Sequence, residues 1–379
     1  MSIVLLTGAR APAAIDLARD FQMAGYDVHM ADSFPCLAAR ASRSVSGFTR
    51  LPSPRYDTHG FRKAVSALVS RLEPAIVVPT CEEIFHLAAA RRDGTHVGNL
   101  FAPPFETLAL LHDKGRFAEH ASSLGLDVPE TRRITSIGDI EWRNLPETVL
   151  KPCHSRFGSD VLVSPSSEQV MSIDVSPSRP WIAQTRIRGT EHCSYAVAKE
   201  GRIVAFASYR GSRRMGGGAS YAVVPSEPAV ALRMRHAAEV IAADLSIDGQ
   251  IAFDAIDDGA RAMLLECNPR STTGVHMLAG RGDLARAMVE GIQSSGMDPK
   301  SRHNLPMMLT HGLVDAASTR SIGAWMSDLR GATDMIGATG DRIPMLGAVL
   351  DAGVFAWRGM IHGNGIVGAT TDDIEWNGR

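Results

Sequence analysis

Lysine is scarce in this 379-residue sequence. Of 39 basic side chains only five are lysine (Lys63, Lys114, Lys151, Lys199 and Lys300), and the rest are arginine. Charge of either sign is not in excess: 41 acidic residues leave a net −2, which excludes broad electrostatic capture of nucleic acid or of an anionic membrane. No apolar run approaches the roughly 18 residues of a membrane span. The opening stretch from Met1 to Gly8 has no basic segment ahead of its apolar run, so it reads as a first strand and not as a secretion signal. Cysteine is also sparse. Cys36, Cys81, Cys153, Cys193 and Cys267 are odd in number and far apart, which excludes a disulfide framework or a CxxC zinc pattern and suits a reducing cytoplasm. What remains, at 45% hydrophobic and 6% aromatic, is an ordinary soluble composition, long enough for two or three domains.

The pattern along the chain is α/β at its start. Ile3–Leu6 is an apolar run ending at a glycine, Ala13–Ala24 has helical spacing, and Val28–Asp32 forms a second strand. A helix near Phe61–Leu72 and a buried strand at Ala75–Pro79 follow, so a parallel sheet is expected, with ligands at its carboxyl edge near Thr80, Glu82 and Glu83. Pro103-Pro104 marks a boundary, and one helix is predicted over Glu106–Leu124. From Thr148 to Ala207 short strands dominate. A glycine-rich loop, residues 215–220, precedes a helix over Ala229–Ala243. The stretch from about Ser301 to Arg379 has helices and strands of its own and no motif with assignable chemistry. Gly8 to Pro12 lacks the GxGxxG pattern, so NAD binding is not expected.

Two places carry candidate chemistry. Ile251–Ile256 and Ala262–Asn268 flank Asp257-Asp258-Gly259, a strong hairpin signal. Alternation puts Glu266 and Asn268 on one face and Met263, Leu265 and Cys267 on the other. Asp254 joins the polar face if it pairs opposite Leu264 or Glu266. The result is either a set of hard oxygen donors suited to magnesium or a plain solvent-facing hairpin. The second place is Lys151, which ends a strand and precedes the small-residue loop Pro152–Asp160. Such a loop can fold its amides around phosphate, with the lysine as a point charge, or it can be a simple turn. In so lysine-poor a chain, Lys114 and Lys151 stand out as specified ammonium groups.

The motifs taken together resemble the ATP-grasp superfamily, in the branch of the carbamoyl-phosphate synthase large subunit and related carboxylate–amine ligases. The carriers are His112–Gly115 with Leu124–Pro129, Val149–Pro152 with its loop, Trp181–Glu191, and Leu264–Arg270. The resemblance covers about residues 1–290. It implies a Rossmann-like pre-ATP-grasp domain over 1–105, an ATP-grasp domain over 106–300 with a small lid at about 115–187 and a larger part at about 188–300, and a carboxy-terminal α/β extension over 301–379.

It also implies roles. Lys114 and Lys151 would contact ATP phosphates, with a flap that includes Ser155, Gly158 and Ser159. Gln184, Thr185 and Ile187 would line the adenine site, and Glu191 would bind ribose. Asp254, Glu266 and Asn268 would hold one or two Mg²⁺ ions, for which Mn²⁺ can substitute. Arg270 would stabilise the transferring phosphoryl group. The acceptor site is expected near Ser271, Thr272, Thr273 and Gly274, with Arg210, Gly217 and Gly218 as a further wall. The reaction so implied is ATP-dependent C–N ligation of a small carboxylate to an amine through an acyl phosphate. Carboxyphosphate chemistry with bicarbonate and a non-catalytic nucleotide-binding protein are the alternatives. No nucleic acid or membrane partner is expected, and a homodimer is compatible with the sequence. His154, His192 and His276 read as hydrogen-bonded structural residues, with substrate contact as the alternative for His276, and Trp376 as buried in a capped terminal segment.

Overall fold

The computed structural model describes residues 1–156, 160–215, 220–363 and 365–378. The first unit is β1 (Ile3–Thr7), α1 (Pro12–Met23), β2 (Asp27–Asp32), α2 (Leu37–Arg40), β3 (Gly47–Arg50), α3 (Thr58–Leu72), β4 (Ile76–Pro79) and α4 (Glu83–Arg92). The strands form a parallel sheet in the order β3-β2-β1-β4. Its middle strand is buried on both faces: Val4 and Leu6 pack with α1, and Leu5 packs on the opposite side with Phe61 and Phe85. β3 has no apolar run to announce it, because as an edge strand it is only half buried. At the carboxyl edge Gly8 adopts φ +69°, and a Cβ there would collide with Thr80 and Glu83. The Thr80 hydroxyl donates to the Gly8 carbonyl at 2.7 Å, closing the edge.

The predicted helix over 106–124 is two helices, α5 (Phe105–His112) and α6 (Lys114–Ser123). Asp113 breaks it. Its backbone is extended and its carboxylate accepts from the amides of Gly115 (3.0 Å) and Arg116 (3.2 Å), an N-cap that starts a new helix. The break sets Lys114 at the head of α6. Next come β5 (Thr131–Ile134), β6 (Thr148–Pro152), β7 (Leu162–Val163), α7 (Ser167–Ser172) and β8 (Trp181–Thr185). The strands form a small antiparallel sheet, β5-β8-β6-β7, over its own core of Ile134, Leu150, Val170 and Trp181.

The large sheet is built from β9 (Thr190–Lys199), β10 (Arg202–Arg214), β11 (Ser220–Pro225), β12 (Gly249–Asp257) and β13 (Ala262–Asn268), with α8 (Pro228–Asp244) between β11 and β12. α9 (Val275–Leu278) and α10 (Asp283–Glu290) follow. β14 (Arg302–His303), α11 (Leu305–Met307), α12 (Leu313–Ser318), α13 (Ile322–Gly331), β15 (Thr333–Asp334), α14 (Ile343–His362) and α15 (Gly365–Ala369) complete the chain. The late strands make no sheet of their own. β14 pairs with β11 and β15 with β14, giving the order β13-β12-β9-β10-β11-β14-β15. Among the described residues no helix is long and apolar enough to cross a membrane.

From α15 the chain returns to the first sheet. Arg10, at the end of β1, is clamped between Asp32 (2.6 Å) and Asp373 (2.5 Å), and the Ser33 hydroxyl donates to Asp373 at 2.9 Å. All three charges are almost fully buried. Removing a buried arginine from between two carboxylates leaves Asp32 uncompensated and Asp373 with only Arg358 at 4.0 Å, at a cost of about 3–5 kcal/mol. Arg10→Ala is therefore expected to lower the thermal unfolding midpoint by several degrees. An unchanged midpoint in a circular-dichroism melt would show that this clamp contributes nothing.

Candidate active site

β12 and β13 pair with Asp254 opposite Glu266 and Ala252 opposite Asn268, so all three donors share a face. The Asn268 amide donates to the Asp254 carboxyl at 3.2 Å. Beyond Glu266 the register slips: Ala255 faces Leu264, which leaves Leu265 as the extra residue of a bulge. The bulge corrects the simple alternation expected for this strand. Leu264, not Leu265 or Met263, shares the apolar core of Cys267, Phe253 and Ala255. It also presents the Leu265 carbonyl to Lys151 on β6, whose ammonium donates to it at 3.3 Å.

Lys114 reaches the same place from α6. Its ammonium lies 3.2 Å from Glu266 and donates to the Ser155 carbonyl at 3.0 Å. Both lysines are 4% exposed. Burial pushes Lys151 down to about 8, Glu266 partly restoring its charge and Lys114 opposing it. Burial alone would raise Glu266, but Lys114 and Lys151 outweigh it and hold the carboxyl at about 2. Asp254 has no such support. Burial, then the charge of Glu266, push it up to about 7, and it shares a hydrogen bond with Glu266. Two carboxyls side by side, one destabilised by the other, with an amide oxygen beside them, form a donor set that a divalent cation fits. Among the described residues no three His, Cys, Asp or Glu side chains form a ready-made metal cage, so other ligands would have to complete a coordination shell.

Arg270, just beyond β13, contacts the Asn268 side chain (3.3 Å) and the Ser271 carbonyl (3.4 Å). Ser271 is buried and gives its hydroxyl to Gln250 at 2.5 Å, and Gly274 lies against Tyr195 with no room for a Cβ. These two shape the loop, whereas Thr272 and Thr273 are half-exposed. The Tyr209 hydroxyl donates to Thr272 at 3.3 Å. Tyr209 pairs opposite Cys193, which pairs opposite Asp254, so Tyr209 is on the face of the donor set. Arg210, its neighbour in β10, faces the other way and meets Glu227 at 3.5 Å. The structure thus does not bring Arg210 to the acceptor side, and strand alternation is the reason.

Gln184 is buried in β8 and donates to the Thr131 hydroxyl at 2.9 Å. The Thr185 amide is engaged by the Glu130 carbonyl at 2.8 Å, and Ile187 is half buried just past the strand. Glu191, exposed at the start of β9, forms an ion pair with Arg214 of β10. Gly158, Ser159, Gly217 and Gly218 lie outside the described residues. His192 bonds Ser226 (2.8 Å) and His276 bonds Asp16 (2.7 Å).

The sheet edge after β4 brings one further carboxylate to this place, Glu82, which the motifs alone did not single out. Glu82 is 2% exposed and lies 3.7 Å from Arg270. It also pairs with Arg156 of the loop after β6 and accepts from the Trp376 amide at 3.3 Å. Burial works against its charge, but Arg156, His112 and Arg270 hold it at about 2. Arg156 in turn donates to the Trp376 carbonyl (2.7 Å) and the Asn377 side chain (2.9 Å). Trp376 is stacked on Phe85 and sits beside His112 and His154. The buried tryptophan expected from sequence is thus the pin of a carboxy-terminal strap.

No family model matches the sequence, and no curated protein does. Solved structures do. An L-amino acid ligase from Bacillus licheniformis shares 14% identity at a TM-score of 0.60, over 79% of this chain and 78% of its own. N5-carboxyaminoimidazole ribonucleotide synthetase from Thermus thermophilus shares 17% at 0.61, over 79% and 81%. The biotin carboxylase domain dimer of Hydrogenobacter thermophilus 2-oxoglutarate carboxylase, in complex with MgADP, ADP and bicarbonate, shares 11% at 0.60, over 77% and 70%. Likeness at these identities shows the architecture: this chain is built on the ATP-grasp fold, a parallel four-stranded sheet followed by an antiparallel four-stranded sheet and a largely antiparallel seven-stranded one.

The ring cluster beneath the strap yields a pH prediction. Burial pushes His112 down to about 3 and His154 to about 4. An unfolded imidazole takes up its proton near pH 6.5, so between about pH 6.5 and 4 the unfolded chain binds protons that the folded one refuses. Stability contributed by the neutral rings is therefore present at pH 7 and lost as pH falls. His112→Phe, which keeps the ring, is expected to flatten the decline of the melting midpoint between pH 6.5 and 4.5. An equally steep decline in the variant would count against His112.

Proposed function

We propose that the protein is an ATP-dependent carbon–nitrogen ligase that activates a small carboxylate as an acyl phosphate, joins it to an amine, and releases ADP and phosphate. The observation that carries this reading is the convergence of two ammonium groups from different elements on one strand, Lys114 on the Glu266 carboxylate and Lys151 on the adjacent Leu265 carbonyl, beside Asp254 and Asn268. On this fold, two buried ammonium groups facing two carboxyls are what a triphosphate with its counter-ion needs. The neighbours named above as ligase, synthetase and carboxylase, one of them in complex with MgADP, point the same way.

In this reading Lys114 and Lys151 bind phosphate oxygens of ATP. Asp254, Glu266 and Asn268 hold one or two Mg²⁺ ions, with Mn²⁺ able to substitute. The ion supplies positive charge against the repulsion between a carboxylate and the γ-phosphate. Arg270 orients the acceptor and offsets charge on the phosphoryl group, while Glu82 holds Arg270 from the opposite side. Thr272 and Thr273 face the acceptor. Gln184, Thr185 and Ile187 form the adenine wall; since the Thr185 amide is already engaged, its part falls to its carbonyl. Glu191 reaches ribose once it shares or leaves Arg214. Ser155, whose carbonyl accepts from Lys114, helps keep water from the acyl phosphate.

Glu266→Gln and Arg270→Ala are each expected to cut ADP release by about a hundredfold or more while the protein still folds. Turnover unchanged in both would exclude this site. The assay is an ADP-release screen over amino acids, with hydroxylamine to trap an acyl phosphate. ADP formed with bicarbonate alone, and no hydroxamate with any organic acid, would replace the organic acid by bicarbonate. Magnesium–ATP at about 100 times its Kd should stabilise the fold by about 2.7 kcal/mol, seen as a rise in melting temperature. No rise at millimolar nucleotide would sink the nucleotide assignment.

A further inference from the structure

We propose that α14 is the contact helix of a homodimer, pairing antiparallel with the same helix of a second copy. This inference stands independently of the ligase reading.

The inner face of α14 is fully used by its own chain. Gly347 lies on the backbone of Leu37 and Ala38, where a Cβ would not fit, and the Asp351 carboxylate accepts from both of those amides at 2.9 Å. Phe355 is stacked on Phe34 with ring centroids 4.0 Å apart. The outer face has no covering among the described residues, yet it is apolar along its length. Ile343, Leu346, Leu350, Gly353, Trp357 and Met360 follow one another at alternating spacings of three and four, the seam of a paired helix. The five large side chains are 55%, 70%, 59%, 59% and 76% exposed in that order, and Val349 and Ile361 beside them are each 58% exposed. Together they leave open on the order of 800 Å², which is what each partner gives to a standard-size interface and more than a monomer normally shows.

Charge and size select the occupant. Between Ile343 and Ile361 the only charged residues are Asp351, turned inward onto α2, and Arg358, paired with Asp372 at 3.4 Å. A helix that lies on a membrane flanks its apolar stripe with lysine and arginine, and this one does not. The seam is also complementary to itself. A two-fold axis between Leu350 and Gly353 sets Ile343 against Met360, Leu346 against Trp357, and Leu350 against Gly353. Each large residue then meets a smaller or flexible one. Gly353 is unfavourable in mid-helix, and a Cβ there would meet only open space within its own chain. A second helix crossing closely at that point accounts for it.

The test is the solution mass of the full chain by light scattering and sedimentation at micromolar concentration. The expected mass is twice 40.6 kDa. Leu350→Glu should return the single-chain mass with an unchanged far-ultraviolet spectrum and a cooperative melt, since the position is on the surface. Leu346→Lys and Trp357→Glu should each be monomeric. The double variant should dimerise again, because the two positions face each other twice across the axis. A monomeric parent protein, a dimer that survives Leu350→Glu, a double variant that stays monomeric, or flotation of the parent with phosphatidylcholine–phosphatidylglycerol vesicles would each overturn the proposal.

Discussion

Glu266 stays ionised inside the protein because two ammonium groups approach it from separate elements, Lys114 from the head of α6 and Lys151 through the edge of the small sheet. The rest of the centre is arranged around that charge. Asp254 is the residue that loses: half-buried beside Glu266 and without a lysine of its own, it is pushed up to about 7. Asn268 contributes an oxygen donor to the same face without adding a third negative charge. The arrangement is costly in isolation, and the cation and triphosphate of the proposed function would share that cost.

Much of this centre was readable from residue order, and the reasons differ from residue to residue. The hairpin was legible because Asp257-Asp258-Gly259 is a local turn signal and because strand alternation is local too. Lys114 and Lys151 were legible because arginine so dominates the cations that a lysine is informative. The bulge at Leu265 had no local signature; it depends on how β13 meets β12 and on the use β6 makes of its carbonyl. Arg210 was misplaced for the same kind of reason. Which face it occupies is decided by the pairing of Tyr209 with Cys193, a contact between strands that composition does not reveal. The split of α5 from α6 could have been read, since Asp113 is a good N-cap, but an apolar pattern running through both helices hid it.

Glu82 and the strap represent a third kind of information. A carboxylate at the edge of the first sheet meets an arginine from the small-sheet side, and the backbone of Trp376 arrives from nearly 300 residues away. No window of sequence contains such a triple contact. It ties three regions of the fold at one point. Glu82 is shared between Arg270, just beyond β13, and Arg156, in the loop after β6, so one buried carboxylate serves both arginines.

The clamp on Arg10 has a consequence for biosynthesis. The first parallel sheet can form as soon as its own residues have been made, but its arginine then has only Asp32 as counter-charge. Asp373, Ser33's partner and the second half of the clamp, is translated hundreds of codons later. Between those two moments Arg10 has only one of the two carboxylates that clamp it in the folded chain. Closure of the Arg10 site thus awaits a residue made 363 positions later, a vectorial dependence set by one ion pair.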